Sequence, residues 1–302
     1  MAAPNRKLFF GVLTSVCFFV AHHAQSAETR ALIVAGLGGE PGYETEFQRH
    51  ANTFANRLRE ISNDITLLLG ELANRDAVRS ALAGINQRAS ADDALVLVFV
   101  GHGSYDGEHF RFNVPGPDFT ATDLAGWLEP VPAERQLVVV TGSSSGAVHA
   151  PLEHTGRLVI TATRSGDERN ATVFARYFHE ALDADAADID KDLRITAQEA
   201  FSYAANGVSH HYASRQTMAT EHPLSEGPDG AIVLAQLTSL PTIDPVVSPA
   251  YEHRDALEEA INALRADKNS YLTADYYAEL QRLLLELVVV EMQIEDAAEE
   301  GR

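Results

Sequence analysis

The sequence predicts an α/β fold in which a mostly parallel sheet is covered by helices on both faces. Two continuous apolar runs, residues 94–100 and 136–140, are rich in β-branched side chains, which is typical of strands buried on both faces. Further strands are predicted at residues 31–35, 65–69 and 157–163, and segments of helical periodicity separate them. Strands that alternate with helices at this spacing indicate parallel βαβ units.

The connecting segments carry helix signals of different strength. Phe47, Phe54, Leu58 and Ile61 recur near helical spacing, and Asn74 has a side chain suited to cap a helix that continues to residue 89. Shorter helices are predicted at residues 122–128, 171–182 and 197–212. Residues 108–114 alternate like a small exposed hairpin arm, and the apolar run 231–237 is expected to close the sheet.

The first 27 residues have the pattern of a secretory signal peptide. Arg6 and Lys7 precede a short apolar run, and small residues around Ala27 suit cleavage after that residue. Cleavage removes Cys17, the single cysteine, so the mature chain has no disulfide or thiol chemistry. We therefore expect an exported protein, periplasmic or secreted, with no membrane span after cleavage.

Composition and the positions of the prolines divide the rest of the chain into segments. The formal net charge is −20 and becomes −22 once the leader is removed, which disfavours nucleic acid and anionic membranes as partners. Residues 28–240 are predicted to form one domain, and the three prolines within residues 241–250 indicate a linker. Residues 251–302 are predicted to form a helical hairpin whose leucine face packs on the domain or on a second chain, giving a homo-oligomer.

Two small polar motifs follow the two central strands. Gly101-His102-Gly103-Ser104 follows one strand, and Thr141-Gly142-Ser143-Ser144-Ser145-Gly146 follows the other. In open α/β sheets, chemistry is concentrated beyond the carboxyl ends of the strands, so His102 and the serines form a candidate catalytic pair. His102 is equally open to interpretation as a structural histidine with satisfied hydrogen bonds.

Taken together, these motifs and the βα order resemble the caspase fold, and within it the legumain-like peptidases and their bacterial relatives. The resemblance spans about residues 29–237, and Ser143 follows His102 by 41 residues, where those enzymes have a Cys-x-Ser-Gly motif. It implies a catalytic role for His102, a nucleophile position at Ser143, and an oxyanion hole formed by the N–H groups of Gly103 and Ser143.

The chain departs from this family at the position that carries the chemistry. A thiolate attacks without close contact to its base, whereas a serine needs a base in hydrogen-bond contact, held by a third group. Ser143 replaces the cysteine, and Thr141 replaces the acidic residue that the family has two positions earlier. The sequence favours a non-proteolytic pseudopeptidase that binds peptides or protein partners in the inherited cleft. The alternative is a peptide hydrolase that uses Ser143 with His102.

A rival serine assignment comes from a second motif in the same loop. Residues 142–146 also match G-x-S-x-G, which would make Ser144 the nucleophile of an α/β-hydrolase. That nucleophile opens a long helix, yet Pro151 and the strand at residue 157 leave little room for one. The hydrolase triad also places its histidine after the serine, whereas His102 precedes it.

Residues 188–199 fit the twelve-residue calcium loop of an EF-hand. The predicted ligands are the carboxylates of the first, third, fifth and twelfth positions and the carbonyl of the seventh, namely Asp188, Asp190, Asp192, Glu199 and Arg194. Leu193 stands where glycine normally makes the turn, which predicts weak binding. The alternative is an acidic turn that caps the following helix. The remaining histidine candidates, His149, His154, His210 and His211, are predicted to lie on the surface.

Overall fold

A computed structural model describes residues 27–228, 231–237 and 273–300, with scattered positions between 253 and 271. Most of the predicted leader, the whole predicted linker at residues 241–250, and part of the first hairpin helix lie outside the described residues. No helix among the described residues is long and apolar enough to cross a membrane.

The strands of the described chain fall into one large sheet and two small ones. In chain order they are β1 (Thr29–Ala35), β2 (Asp64–Leu68), β3 (Ala94–Val100), β4 (Gly103–Tyr105), β5 (Phe110–Phe112), β6 (Phe119–Thr120), β7 (Arg135–Val140), β8 (Arg157–Thr161), β9 (Arg194–Thr196), β10 (Leu224–Glu226) and β11 (Val233–Gln236). The central sheet has the order β10-β8-β7-β3-β1-β2, and every neighbouring pair is parallel except β10 with β8.

Helices cover both faces of the central sheet, as predicted. They are α1 (Pro41–Arg59), α2 (Arg75–Arg88), α3 (Ala121–Leu128), α4 (His149–Leu152), α5 (Phe174–Glu180) and α6 (Ala197–Arg215). A further helix, α7 (Thr273–Glu300), belongs to the C-terminal hairpin. Successive residues of β1 alternate between two buried clusters, one shared with α1, α5 and α6 and the other with α2 and α3. Each fully buried large apolar side chain contributes about 1.5–3 kcal/mol, so these clusters stabilise the fold.

The expectation that residues 231–237 close the central sheet is wrong. β11 pairs with β9 in a separate two-stranded sheet, and the edge position beside β8 is taken by antiparallel β10. Hydrophobicity predicted a strand here but carried no information about its partner.

The exposed hairpin arm predicted at residues 108–114 is also corrected. β5 is the middle strand of a three-stranded antiparallel sheet, and Phe110 and Phe112 are buried. The Phe112 ring packs against Phe99 at 5.3 Å and Phe119 at 5.5 Å between centroids, which draws the arm into the core.

Side-chain caps explain where several helices begin. Asn74 accepts from the backbone N–H of Ala77, which confirms the predicted cap of α2. Helix α5 begins at Phe174, three residues later than predicted, because the buried Glu221 carboxylate accepts the N–H groups of Val173 and Phe174. Burial raises the pKa of Glu221 above its ordinary value.

The described part of the C-terminal hairpin has a small hydrophobic core of its own. Its buried members are Leu257, Ile261, Leu264, Tyr276, Leu283 and Val290. The leucine face expected on the domain or on a second chain is therefore packed, over the described residues, inside the hairpin.

Candidate functional site

The predicted site lies where β3 and β7 end side by side. Their carboxyl ends approach so closely that a Cβ atom on Gly142 would lie 2.0 Å from the Gly101 carbonyl oxygen. A Cβ atom on Gly103 would lie 2.6 Å from the Ser143 carbonyl oxygen and within 2.3 Å of the Phe110 ring. The glycines thus bring His102, Gly103 and Ser143 to one edge of the sheet.

His102 is held by the loop after β1 and by two aromatic rings of α1. The backbone carbonyl of Gly38 faces the imidazole as a hydrogen-bond acceptor. Tyr43 and Phe47 present their rings to it edge-on, with centroids at 4.8 and 4.9 Å. Burial lowers the pKa of His102, and the Gly38 carbonyl opposes this only in part, so the ring is neutral at pH 7.

The glycine-rich turn that precedes α1 therefore has a positioning role. The Gly38 N–H donates to the Glu44 carboxylate at 2.9 Å, and a Cβ atom on Gly38 would lie 2.3 Å from the Glu44 backbone nitrogen. This contact fixes the turn and with it the carbonyl that holds His102. Sequence reasoning missed Gly38, Tyr43 and Phe47, because a backbone carbonyl and a ring edge leave no motif.

The Ser143 hydroxyl does not hydrogen-bond to His102. It donates to the backbone carbonyl of Gly103 at 2.9 Å, and the residue is only 6% exposed. A carbonyl oxygen is an acceptor alone, so the hydroxyl proton points toward Gly103 and away from any base. The histidine and the serine share an edge of the sheet, and each is bonded to a main-chain carbonyl.

The next two serines are structural. Ser144 is 1% exposed, adopts a left-handed conformation with φ of 58°, and donates its N–H to the Glu168 carbonyl at 2.7 Å. Ser145 is fully buried, and its hydroxyl accepts the Thr163 N–H at 3.1 Å. A short 3₁₀ turn and the four-residue α4 follow, and this is not the long helix that an α/β-hydrolase nucleophile opens.

Two hollows lie near the candidate site. A cavity of about 140 Å³ beside His102 is lined by α1 and by residues 171–176. A larger groove of about 1060 Å³ begins at Gly146 and continues past Tyr105 and α4 to β10. We call the larger one the α4 groove. Three carboxylates line it, from Glu108, Glu153 and Glu226.

The surface prediction for the four remaining histidines is wrong for His149. Its side chain is 9% exposed, Nε2 lies 2.9 Å from the Thr161 hydroxyl, and Nδ1 lies 3.2 Å from a Glu226 carboxylate oxygen. Burial lowers its pKa, and Glu226 opposes that shift. His154 and His210 are exposed and His211 is partly exposed, as predicted.

The acidic loop brings three of its predicted carboxylates together. One oxygen each from Asp188, Asp190 and Asp192 lie within 4.8 Å of one another. Leu193 has φ of 65°, the left-handed conformation that glycine normally provides at this position. These three oxygens are the hard ligands that calcium prefers, so this part of the loop fits the ion.

The other two predicted calcium ligands, Glu199 and Arg194, make different contacts in the structure. The Glu199 carboxylate accepts the N–H groups of Ile189 and Thr196 and the Thr196 hydroxyl, so it caps α6 and lies outside the acidic cluster. Burial opposes its ionisation, but these hydrogen bonds hold the pKa of Glu199 below its usual range. Arg194 opens β9, and the neighbouring Ile195 pairs with Ala235 of β11.

No protein-family model and no curated protein sequence matches the chain. Among solved structures, caspase-1 from Spodoptera frugiperda aligns with 9% identity and a TM-score of 0.50 over 70% of this chain and 94% of that chain. The Drosophila initiator caspase Dronc aligns with 10% identity and a TM-score of 0.47 over 68% and 81%. Protein GSU0716 from Geobacter sulfurreducens aligns with 13% identity and a TM-score of 0.47 over 70% and 100%.

At such low identity the likeness concerns the fold alone. The alignment with the Spodoptera enzyme agrees with the architecture described above, a mostly parallel sheet flanked by helices. The protein therefore has a caspase-like fold, in which the edge that carries the candidate site holds serine and histidine.

Proposed function

We propose that the protein is a pseudopeptidase of caspase-like fold, legumain-like in its motif pair, that binds peptide segments without cutting them. The observation that carries the proposal is the hydrogen bond from the Ser143 hydroxyl to the Gly103 carbonyl. A serine becomes a nucleophile when a base in contact removes its proton. Ser143 has a carbonyl at that point, and its proton therefore stays on the hydroxyl.

The α4 groove is the proposed peptide site. It opens at Gly146, three residues beyond Ser143, and it has the volume of a ligand cleft. The carboxylates of Glu108, Glu153 and Glu226 favour a peptide that carries Lys or Arg side chains. The formal net charge of −20 favours the same class of partner and disfavours nucleic acid.

The test compares binding and cleavage on the same peptides. Basic peptides should bind the purified protein more tightly than acidic ones in fluorescence anisotropy and should remain intact by mass spectrometry. Glu153→Gln combined with Glu226→Gln should weaken binding about tenfold, whereas Glu129→Gln, outside the groove, should leave it unchanged. Cleaved peptides that disappear with Ser143→Ala would overturn the proposal.

A peptide hydrolase remains the second candidate, and one observation favours it. The His102 imidazole is oriented by the Gly38 carbonyl and is neutral at pH 7, as a general base must be. A rotation of the Ser143 hydroxyl away from Gly103 on substrate binding would be required for this activity. The cleavage arm of the experiment decides between the two functions.

We further propose that the acidic loop takes up calcium. The three clustered carboxylates repel one another without a cation, and an exported protein meets millimolar calcium. Calcium would then stabilise the native state by about 2.7 kcal/mol at a hundredfold excess over Kd. We expect a weak affinity, about 10⁻⁴ to 10⁻³ M, because Leu193 holds a left-handed conformation that costs a non-glycine residue free energy.

Millimolar calcium should accordingly raise the Tm by several degrees, and magnesium should do so far less. Asp190→Asn with Asp192→Asn should abolish the calcium-induced shift, while Asp185→Asn, an exposed neighbour outside the cluster, should keep it. Leu193→Gly should enlarge it, because glycine adopts the left-handed turn without strain. Glu199→Gln should weaken the hydrogen bonds to Ile189 and Thr196 whether or not calcium binds, so only the calcium-induced shift is informative. Equal shifts in wild type and the double variant would contradict a calcium site.

A further inference from the structure

The backbone nitrogen of Glu28, just before β1, is bonded to a buried carboxylate. The Glu28 N–H donates to Asp93 Oδ1 at 2.9 Å, and the Asp93 side chain is fully buried at the start of β3. The Glu28 carbonyl also accepts the Ala94 N–H at 2.9 Å, so the residue is fixed on both sides. Ala27, immediately before it, is exposed.

Asp93 belongs to a cluster of charged side chains in which the negative groups outnumber the positive groups by one. Its other oxygen accepts from Arg30 Nε and the Ser90 N–H, both at 2.9 Å. Arg30 also pairs with Asp64 and with the Glu28 carboxylate, and Arg88 completes the cluster at Asp64. Three carboxylates thus face two guanidinium groups. At the same corner, Arg135 donates to the Asp92 backbone carbonyl at 2.9 Å, and the Glu134 N–H donates to the Ala91 carbonyl at 3.1 Å.

The sequence predicts cleavage after Ala27, and that cleavage changes the chemistry of the bonded nitrogen. An amide N–H of Glu28 becomes an α-ammonium group with three donors and a positive charge. It is created at 2.9 Å from Asp93, and the exposed side vacated by Ala27 leaves its remaining donors to water. The new charge balances the three carboxylates and two guanidinium groups of the cluster.

We propose that removal of the leader at Ala27 creates a docking group, the Glu28 α-ammonium, which binds the buried Asp93 carboxylate and locks β1 into the sheet. Processing would then contribute to the stability of the mature fold as well as to export. The hydrogen bonds and Arg30 already outweigh the burial of Asp93 and hold its pKa below the usual range, so the acceptor is ionised at neutral pH. This inference is independent of the proposed peptide binding.

The pH dependence has a definite sign. An α-amino group has an ordinary pKa of about 8, and the Asp93 carboxylate raises it in the folded state. The added stability is therefore complete below pH 8 and is lost as the pH rises through the folded-state value. The pKa values of Asp64 and Asp93 are lowered and that of Arg30 is raised, so these groups keep their charge across that range.

The experiment compares three N-termini on the otherwise complete mature chain. One begins with a free Glu28, the second carries an Nα-acetyl group that keeps the amide N–H, and the third carries a Gly-Ser extension that moves the charge away. At pH 7 the free form should have a Tm about 2–4 °C above both others, and the difference should vanish near pH 10. Asp93→Asn should abolish the difference at pH 7.

Two further measurements guard against a variant that does not fold. The pH dependence of acylation at the α-amino group of the wild-type chain, followed by mass spectrometry, should give a pKa clearly above 8. The intact mass of the exported protein should correspond to a chain that begins at Glu28. Equal Tm values for the three N-termini, an ordinary α-amino pKa, or an exported chain that begins elsewhere would each overturn the inference.

Discussion

At the scale of single residues, two main-chain carbonyls decide the state of the candidate site. The Gly103 carbonyl holds the Ser143 hydroxyl, and the Gly38 carbonyl holds the His102 ring. A serine at this position would by itself leave the possibility of a serine enzyme. The hydrogen bond from Ser143 to Gly103 is what favours a binding protein.

Two histidines, one on α1 and one on α5, are buried against each other, and the sequence did not predict this pair. The rings of His50 and His179 lie 4.6 Å apart between centroids and are tilted by 43°, and both side chains are buried. Burial, the neighbouring His179 and Arg49 lower the pKa of His50 to about 4, while Glu46 opposes the shift. The signal was present, since His50 continues the apolar stripe of Phe47, Phe54 and Leu58.

This pair predicts a loss of stability in mild acid. The folded-state pKa of His50 lies below the unfolded value of 6.5, so its contribution is complete above pH 6.5 and is lost as the pH falls toward 4. The loss should be on the order of 2 kcal/mol. His50→Phe should flatten the fall in Tm between pH 6.5 and 4.5, and the exposed His210→Gln should not. Parallel curves for wild type and His50→Phe would refute this explanation.

At the scale of elements, α7 has two apolar faces and the described hairpin uses one. Tyr276, Leu283 and Val290 recur at heptad spacing and pack inside the hairpin. The other face stays exposed over Leu284, Leu285, Val288, Val289 and Met292. An apolar stripe of this length on a helix is typical of an interface. We propose that a second copy of the chain covers it, which gives a four-helix bundle.

Leu285→Glu with Val288→Glu should therefore convert a dimer into a monomer in analytical ultracentrifugation. The two glutamates would bring like charges together at the proposed interface, where they destabilise the assembly by several kcal/mol. Glu279→Gln, on a polar part of the same helix, serves as the matched control and should leave the mass unchanged. The proposal would be contradicted if the wild-type protein stays monomeric at about 100 μM, a concentration well above the Kd of stable dimers.

The elements also show which parts of the fold the sequence could predict. Strands β3 and β7 and the Asn74 cap of α2 have local signals, and the structure confirms them. The pairing of β11 with β9 and the closing strand β10 depend on contacts distant in the chain, and β10 is a short Leu-Ser-Glu segment without a pattern. Local periodicity predicts a strand, but its neighbour is chosen by packing.

At the candidate site, too, the sequence predicted the local features but not the contacts that those residues make. The strand-end rule placed His102 and Ser143 at one edge of the sheet, and the structure has them there. Their hydrogen-bond partners are backbone carbonyls, and any residue type has a backbone carbonyl. The acidic loop was visible as spacing, yet the use of Glu199 as a cap rather than a member of the cluster required coordinates.

At the scale of the whole molecule, a caspase-like sheet carries three separable features. These are the Ser143 edge with its acidic α4 groove, the acidic loop between α5 and α6, and the corner where Glu28 meets Asp93. Each rests on different residues, so each experiment can fail without affecting the others. The central claim is the one about Ser143.

Labelling with a fluorophosphonate probe tests that claim most directly, because the probe modifies only serines that a base has activated. The mature protein should remain unlabelled by intact mass, as should Ser143→Ala and Ser144→Ala. Ser143→Cys should react with a thiol reagent more readily than wild type, which would show that the position itself is accessible. A fluorophosphonate adduct on wild type that is lost in Ser143→Ala and kept in Ser144→Ala would show an active serine and contradict the account.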